Sequence, residues 1–191
     1  VALAPIPRRI GRIPVWIAPT APTVALAIAA VLAAVTTGVA HTARVIDHAP
    51  RIRAQHIAGA EVGIQTALCA EALGAMERTL DLTVEYLKTR KQFGVPLAKF
   101  QTLTQRAADM YTSVELARST VLFAAMEIAH DPTDRATTSR LKAFVGRTGR
   151  HVGQEAIQLH GGIGMTAEYA VGHYTSRLTA IEHTFGDTRY H

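Results

Sequence analysis

Cysteine is nearly absent: Cys69 stands alone among 191 residues. A single thiol excludes an internal disulfide framework and fits a reducing compartment, so a cytoplasmic location is expected. Strand patterning is also missing, because no run alternates apolar and polar residues long enough to build a sheet. Residues 1–60 hold no Lys and no Glu; their charges are Arg8, Arg9, Arg12, Arg44, Arg51, Arg53 and the single acid Asp47. The rest of the chain carries fourteen basic and fourteen acidic residues, so the net charge of +5 sits wholly in the first third. A neutral remainder has no basic stripe, which argues against nucleic acid as a partner. No metal centre is expected either.

What is present divides near residue 60. Residues 1–60 contain six of the eight prolines, and no charged residue occurs from Ile13 to Ala40. Within that stretch lies an apolar run, residues 24–40. Three readings stay open for it: a poorly specified or misread start, a short helix packed on the rest, or a signal or anchor segment. A membrane span needs about 20 apolar residues. Thr23 to Ala40 barely reaches that length and is bounded by Pro19 and Pro22, so membrane insertion is not expected. A hydrophobic content of 48% supports one domain with a real core, and residues 61–191 are expected to form it.

That region reads as helix almost throughout. From about Ile64 to Lys91, the residues Leu73, Met76, Leu80, Val84 and Leu87 recur at steps of three and four. Gly94-Val95-Pro96 breaks the pattern. Phe100, Leu103, Ala107, Met110, Val114, Ala117, Val121, Ala124 and Ile128 then alternate the same steps, a heptad seam suited to a bundle. Asp131-Pro132-Thr133-Asp134 ends that helix and starts the next. Leu141, Val145, Val152, Ala156 and Leu159 mark a third helix from about Asp134 to His160, stopped by Gly161-Gly162-Ile163-Gly164. A last helix or helix pair fills about Ala167 to Phe185. The fold expected is all-α, an antiparallel four-helix bundle.

Three clusters are not explained by bundle packing. They are Thr89-Arg90-Lys91-Gln92-Phe93-Gly94 followed by Phe100-Gln101, then Gln154 to Thr166, then Glu168-Tyr169 with Arg177 and the closing Phe185-Gly186-Asp187. Singly each has an ordinary explanation: basic residues complement a helix C-terminus, and a Gly-rich run caps a helix. In this order, with Ala107-Ala108-Asp109-Met110 between them, they resemble the acyl-CoA dehydrogenases. The matching family pattern is RxxFG, FQ, an LADM-like run, AxQxxGGxG and EY, and it covers residues 61–191. The fold implied is that family's C-terminal helical domain.

The resemblance implies FAD as cofactor. Arg90 matches the arginine that reaches the FAD pyrophosphate, where a guanidinium pairs with phosphate oxygens in two-pronged fashion. Gln92 and Phe93 match residues beside the adenine and pyrophosphate half. Gln101 matches a polar contact on the following helix. Gln158, Gly161 and Gly162 match a segment that approaches the cofactor through its backbone. The implied reaction is α,β-dehydrogenation of an acyl-CoA, with an electron-transfer flavoprotein reoxidising the flavin. The family is usually tetrameric, and some members form mixed oligomers in which one subunit supplies no base. Here Phe185 stands where the family's Glu-Gly-Thr triplet supplies the proton acceptor. The alternative family position, on the first helix, falls on Ile64. Glu61 and Glu71 are the nearest carboxylates; their ordinary role is a solvated helix charge, or for Glu71 a partner to Arg78. The family's N-terminal helical and β-rich middle domains have no counterpart in residues 1–60. Two further roles therefore stand beside an active dehydrogenase or its partner subunit: a non-catalytic helical module or pseudogene product, and a membrane-tethered helical protein.

Overall fold

Among the described residues the first helix is Pro50–Thr89. The computed structural model describes residues 50–191, so the apolar run 24–40 lies outside the described residues. The described residues form four α-helices in order: α1 (Pro50–Thr89), α2 (Gln101–His130), α3 (Arg135–His160) and α4 (Ala170–His183). Short 3₁₀ turns at Leu97–Lys99 and Gly161–Met165 lead into α2 and towards α4. The expected bundle is present, with three differences. Helix α1 begins at Pro50 and runs across the change of composition near residue 60. Helix α4 is shorter at both ends than the periodicity suggested. A two-residue hairpin, β1 (Lys91–Gln92) against β2 (Val95–Pro96), occupies the α1–α2 link. It is too short for a period-two pattern to reveal.

The seams pack as their spacing predicts. On α2, Met110, Val114, Ala117, Val121, Ala124 and Ile128 are all buried. On α1, Cys69, Leu73, Met76, Leu80 and Leu87 are buried, and Val84 is half-buried at the margin. Asp134 starts α3: its side chain accepts a hydrogen bond from the Thr137 N–H at 3.0 Å, satisfying one open helix donor. Just before it, Asp131 accepts from the Thr133 N–H and hydroxyl at 2.9 and 2.7 Å.

Helix α3 is the hub, packed against α1, α2 and α4. Its contact with α4 is close because Gly146, Gly149 and Gly153 share one face. A Cβ at Gly149 would sit 3.3 Å from the Leu178 side chain, and one at Gly153 only 2.9 Å from Thr175 Cγ2. Cross-links fix the directions. Arg106 near the start of α2 meets Glu155 near the end of α3 at 2.7 Å, so these run antiparallel. Arg135 at the start of α3 pairs with Glu61 near the start of α1, so those run parallel. No helix among the described residues is long and apolar enough to cross a membrane.

Two outcomes follow for the core. Gly153→Val forces a branched side chain into the α3–α4 contact and is expected to destabilise the chain by about 2 kcal/mol, read as a lower urea midpoint. Cys69 is fully buried, and burial pushes its thiol up to about 12. It should resist iodoacetamide at pH 8 in the native chain and react once urea unfolds it.

Candidate functional site

Alternating helix direction sorts the connections to two ends. The α1–α2 link (90–100) and the α3–α4 link (161–169) share one end. The α2–α3 link (131–134) and the tail (184–191) share the other.

Three rings pin the first end. Tyr86, in the last turn of α1, stacks on His160, the last residue of α3, with centroids 4.5 Å apart. Tyr169, just before α4, lies 4.9 Å from the His160 ring and 6.1 Å from Tyr86. His160 is buried, and its Nδ1 lies 2.8 Å from the Ala156 carbonyl oxygen. Burial holds its pKa below the ordinary histidine value, against the opposing pull of the Ala156 and Leu82 carbonyls.

The residues expected to contact a cofactor lie at this same end of the bundle. Arg90 leaves α1 with its N–H donating to the Tyr86 carbonyl at 2.8 Å, and its own carbonyl accepts from Leu97 N–H at 2.8 Å. Phe93 and Gly94 form the hairpin tip with φ of 53° and 80°. Left-handed backbone is costly for phenylalanine, yet the Phe93 ring is 92% exposed and touches only the edge of Phe100 in the aromatic set. Gln101 begins α2, whose N-terminus has no side-chain cap. The side chains of Arg90, Gln92, Gln101 and Gln158 are exposed and make no hydrogen bond or ion pair among the described residues.

The glycines of the α3–α4 turn divide by cause. Gly161 needs its φ of 64° to leave the helix. Gly164 lies over His160, where a Cβ would come within 2.9 Å of the His160 Cβ. Gly162 has neither cause: its φ is not positive and no atom lies within 4 Å of a built Cβ. Nothing among the described residues requires its lack of a side chain, which leaves the backbone open to close approach. A guanidinium, three carboxamides and an uncapped helix N-terminus are all hydrogen-bond donors. This set fits a nucleotide diphosphate.

Phe185-Gly186-Asp187 is at the opposite end. From Lys142 to His160, α3 alone separates the two ends by about 27 Å at 1.5 Å per residue. Lys142 is 1% exposed, and its ammonium donates to the Glu182 and Gly186 carbonyls at 2.7 and 2.8 Å. Burial lowers its pKa; nearby Cys69, Glu182 and Asp187 pull the other way. The Glu182 carboxylate is buried, engaged by Arg150, whose Nε is 3.1 Å away, and by the Thr188 hydroxyl at 3.2 Å. His191 closes the tail, with Nδ1 3.1 Å from the Ser139 hydroxyl and Nε2 2.9 Å from the Phe185 carbonyl. Phe185 has a φ of 59° and a half-exposed ring. Asp187 is no free base: it accepts from the Arg189 and Tyr190 N–H groups at 2.9 Å, which lower its pKa.

The two substitute carboxylates are engaged elsewhere. Glu71 pairs with Arg177 on α4, at 2.6 and 2.8 Å, and not with Arg78 as the helix spacing suggested. A cross-bundle fork offers better geometry than an i,i+7 neighbour on one helix, and the Arg177 hydrogen bond holds the Glu71 pKa down. Glu61 pairs with Arg135 and accepts from Gln65 at 3.4 Å. Sequence reasoning missed Lys142, Glu182 and the His160–Tyr86 stack. A signal existed for Lys142, a charge placed between Leu141 and Val145 on the apolar side of α3.

Comparison with known proteins agrees with this architecture. The family model described as acyl-CoA dehydrogenase, C-terminal domain, matches residues 65–191. The chain belongs to the acyl-CoA dehydrogenase family. Acyl-CoA dehydrogenase IpdE2 of Mycobacterium tuberculosis is 45% identical over 111 residues, covering 58% of this chain and 33% of that protein. Butyryl-CoA dehydrogenase from Megasphaera elsdenii superposes with a TM-score of 0.66 at 30% identity, over 70% of this chain and 35% of that one. The ChsE4–ChsE5 complex from Mycobacterium tuberculosis gives 0.64 at 31% identity, over 68% and 35%. The chain thus spans about a third of the length of these relatives.

Replacing Lys142 by Met would leave one buried and one half-buried carbonyl unpaired. Lys142→Met is expected to cost about 2–4 kcal/mol, with hydrogen exchange rising first across residues 184–191.

Proposed function

We propose that this chain is the cofactor-contacting helical part of a FAD-dependent acyl-CoA dehydrogenase, acting in the cytoplasm within a homo- or hetero-oligomer. The observation that carries this reading is the convergence at one bundle end of Arg90, Gln92, Phe93, Gln101, Gln158, Gly161 and Gly162. Among the described residues, the side chains of Arg90, Gln92, Gln101 and Gln158 have no hydrogen-bond or ion-pair partner, and nothing packs where a Gly162 side chain would lie. Arg90 would pair with pyrophosphate oxygens, Gln101 and Gln158 would donate to neighbouring polar groups, and the open backbone at Gly162 would let the diphosphate approach. Bound flavin supplies hydride acceptance from the acyl β-carbon, and an electron-transfer flavoprotein takes the electrons onward. Removal of the acyl α-proton needs a carboxylate, and this chain presents none that is free at either family position: Phe185 and Ile64 stand there. The proton acceptor therefore comes from another subunit or another part of the protein, as suits a partner subunit in a mixed assembly. The alternative, a helical module without cofactor, leaves the strained Phe93 and the open Gly162 unexplained.

The probe is ADP, which carries the diphosphate and adenine of FAD. At millimolar concentration it is expected to shift NMR resonances of residues 90–101 and 158–166 and to leave 184–191 unmoved. Arg90→Ala should weaken binding about tenfold or more, as loss of a charged hydrogen bond predicts. Arg90→Lys should recover only part of it, because an ammonium is not two-pronged. Shifts confined to the tail, or none at all, would remove the cofactor reading.

A further inference from the structure

Groups on and beside two separate links can serve one cofactor only if the links keep a constant separation. No backbone hydrogen bond joins them: the α1–α2 link closes on itself through Leu97 N–H to Arg90 O, and the α3–α4 turn through Thr166 N–H to Ile163 O. What ties them together is a triangle of three rings that includes His160. The His160 ring stacks on Tyr86 at an interplanar angle of 27°, and the Tyr86 carbonyl accepts the Arg90 N–H. It also meets Tyr169, tilted by 51°, while the two tyrosines meet edge-on at 6.1 Å, and Gly164 lies against the His160 Cβ. Gly172 at the start of α4 lies in turn beneath the Gly164 carbonyl, where a Cβ would be 3.2 Å from that oxygen. Two glycines therefore yield space so that the turn can close down on this one side chain.

The ring itself is held by one polar contact. With Nδ1 donating to the Ala156 carbonyl, the tautomer leaves Nε2 as an acceptor. Nε2 is buried without a hydrogen-bond partner; the Leu82 carbonyl nearby is itself an acceptor. A polar edge left unpaired in an apolar cage stabilises nothing by hydrogen bonding, so the value of the side chain there is its flat ring and the anchored Nδ1.

We infer that His160 is a positioning residue for the cofactor half-site: its ring sets the distance between the Arg90 turn and the Gly161–Gly162 turn. This rests on the cofactor reading above for its purpose, while the spacing role stands on geometry alone. The ring touches no cofactor. It acts through Tyr86 on the residue that pairs with phosphate, and through the turn on the backbone that admits it. A planar ring of similar size can do the same, whereas a methyl group cannot.

The test combines amide hydrogen exchange with ADP titration for the unaltered chain, His160→Ala, His160→Phe and the control Val152→Ala, which removes core volume elsewhere on α3. His160→Ala is expected to raise exchange about tenfold at Arg90, Leu97, Gly161–Thr166 and Tyr169, as local opening allows, while amides near Lys142 and in the tail stay protected. His160→Phe should return those rates to within about threefold of the unaltered chain. ADP affinity should follow the same order, falling about tenfold in His160→Ala and recovering in His160→Phe, with Val152→Ala unchanged. Exchange that rises evenly along the bundle, as for Val152→Ala, would overturn the spacing role. So would local exchange without any change in ADP affinity. If the unaltered chain binds no ADP, the cofactor reading falls and takes the purpose of the spacer with it, while the exchange pattern still decides whether the ring spaces the two links.

Discussion

Everything in this chain depends on how closely α3 lies against its neighbours. It is the helix that α1, α2 and α4 all touch, and the shared face of Gly146, Gly149 and Gly153 brings α4 close. Side chains there would push α4 outward and open the Lys142 cluster and the His160 cage at the two ends of the same helix. Burial of the aliphatic seams supplies most of the favourable free energy. The glycine face decides the geometry in which that energy is gained. Because the helices alternate direction, this packing also decides which loops become neighbours.

The two ends so formed differ in physical character. One end is open among the described residues: Phe93 is strained and exposed, the Arg90 side chain has no partner there, and no atom fills the place of a Gly162 side chain. Such features persist where an outside molecule compensates for them. The other end is closed: the buried Lys142 ammonium holds the Glu182 and Gly186 carbonyls, the buried Glu182 carboxylate takes Arg150 and Thr188, and His191 meets Ser139 and the Phe185 carbonyl. Internal satisfaction of that kind leaves no donor for a ligand and gives a loop one shape. The open end and the loop that places residue 185 therefore lie about 27 Å apart along α3.

Much of this was legible in the sequence, and the reasons for the rest are physical. The α2 seam was readable residue by residue because helical burial repeats every three to four positions and nothing else in that segment competes. Asp134 was readable as a cap because its oxygen acts on an N–H three residues away, a local event. The hairpin at 91–96 was not, since two residues per strand carry no period. Nor was the Glu71–Arg177 pair, which joins residues 106 positions apart. The cofactor-side set was named from motif order, but its convergence follows from helix direction, which no short motif encodes. The Lys142 and His160 roles were hidden for a related reason: each joins three elements, and a one-dimensional pattern shows only the element it lies on.

Lys142 grips two main-chain oxygens, those of Glu182 and Gly186, and leaves the side chain of residue 185 alone. The His191 ring likewise meets the carbonyl of Phe185 and not its phenyl group. The loop's shape is thus written in atoms that every amino acid possesses. In a lineage that carries this clamp, a carboxylate at that place can be lost or regained by a single substitution, with no refolding of the loop to oppose the change.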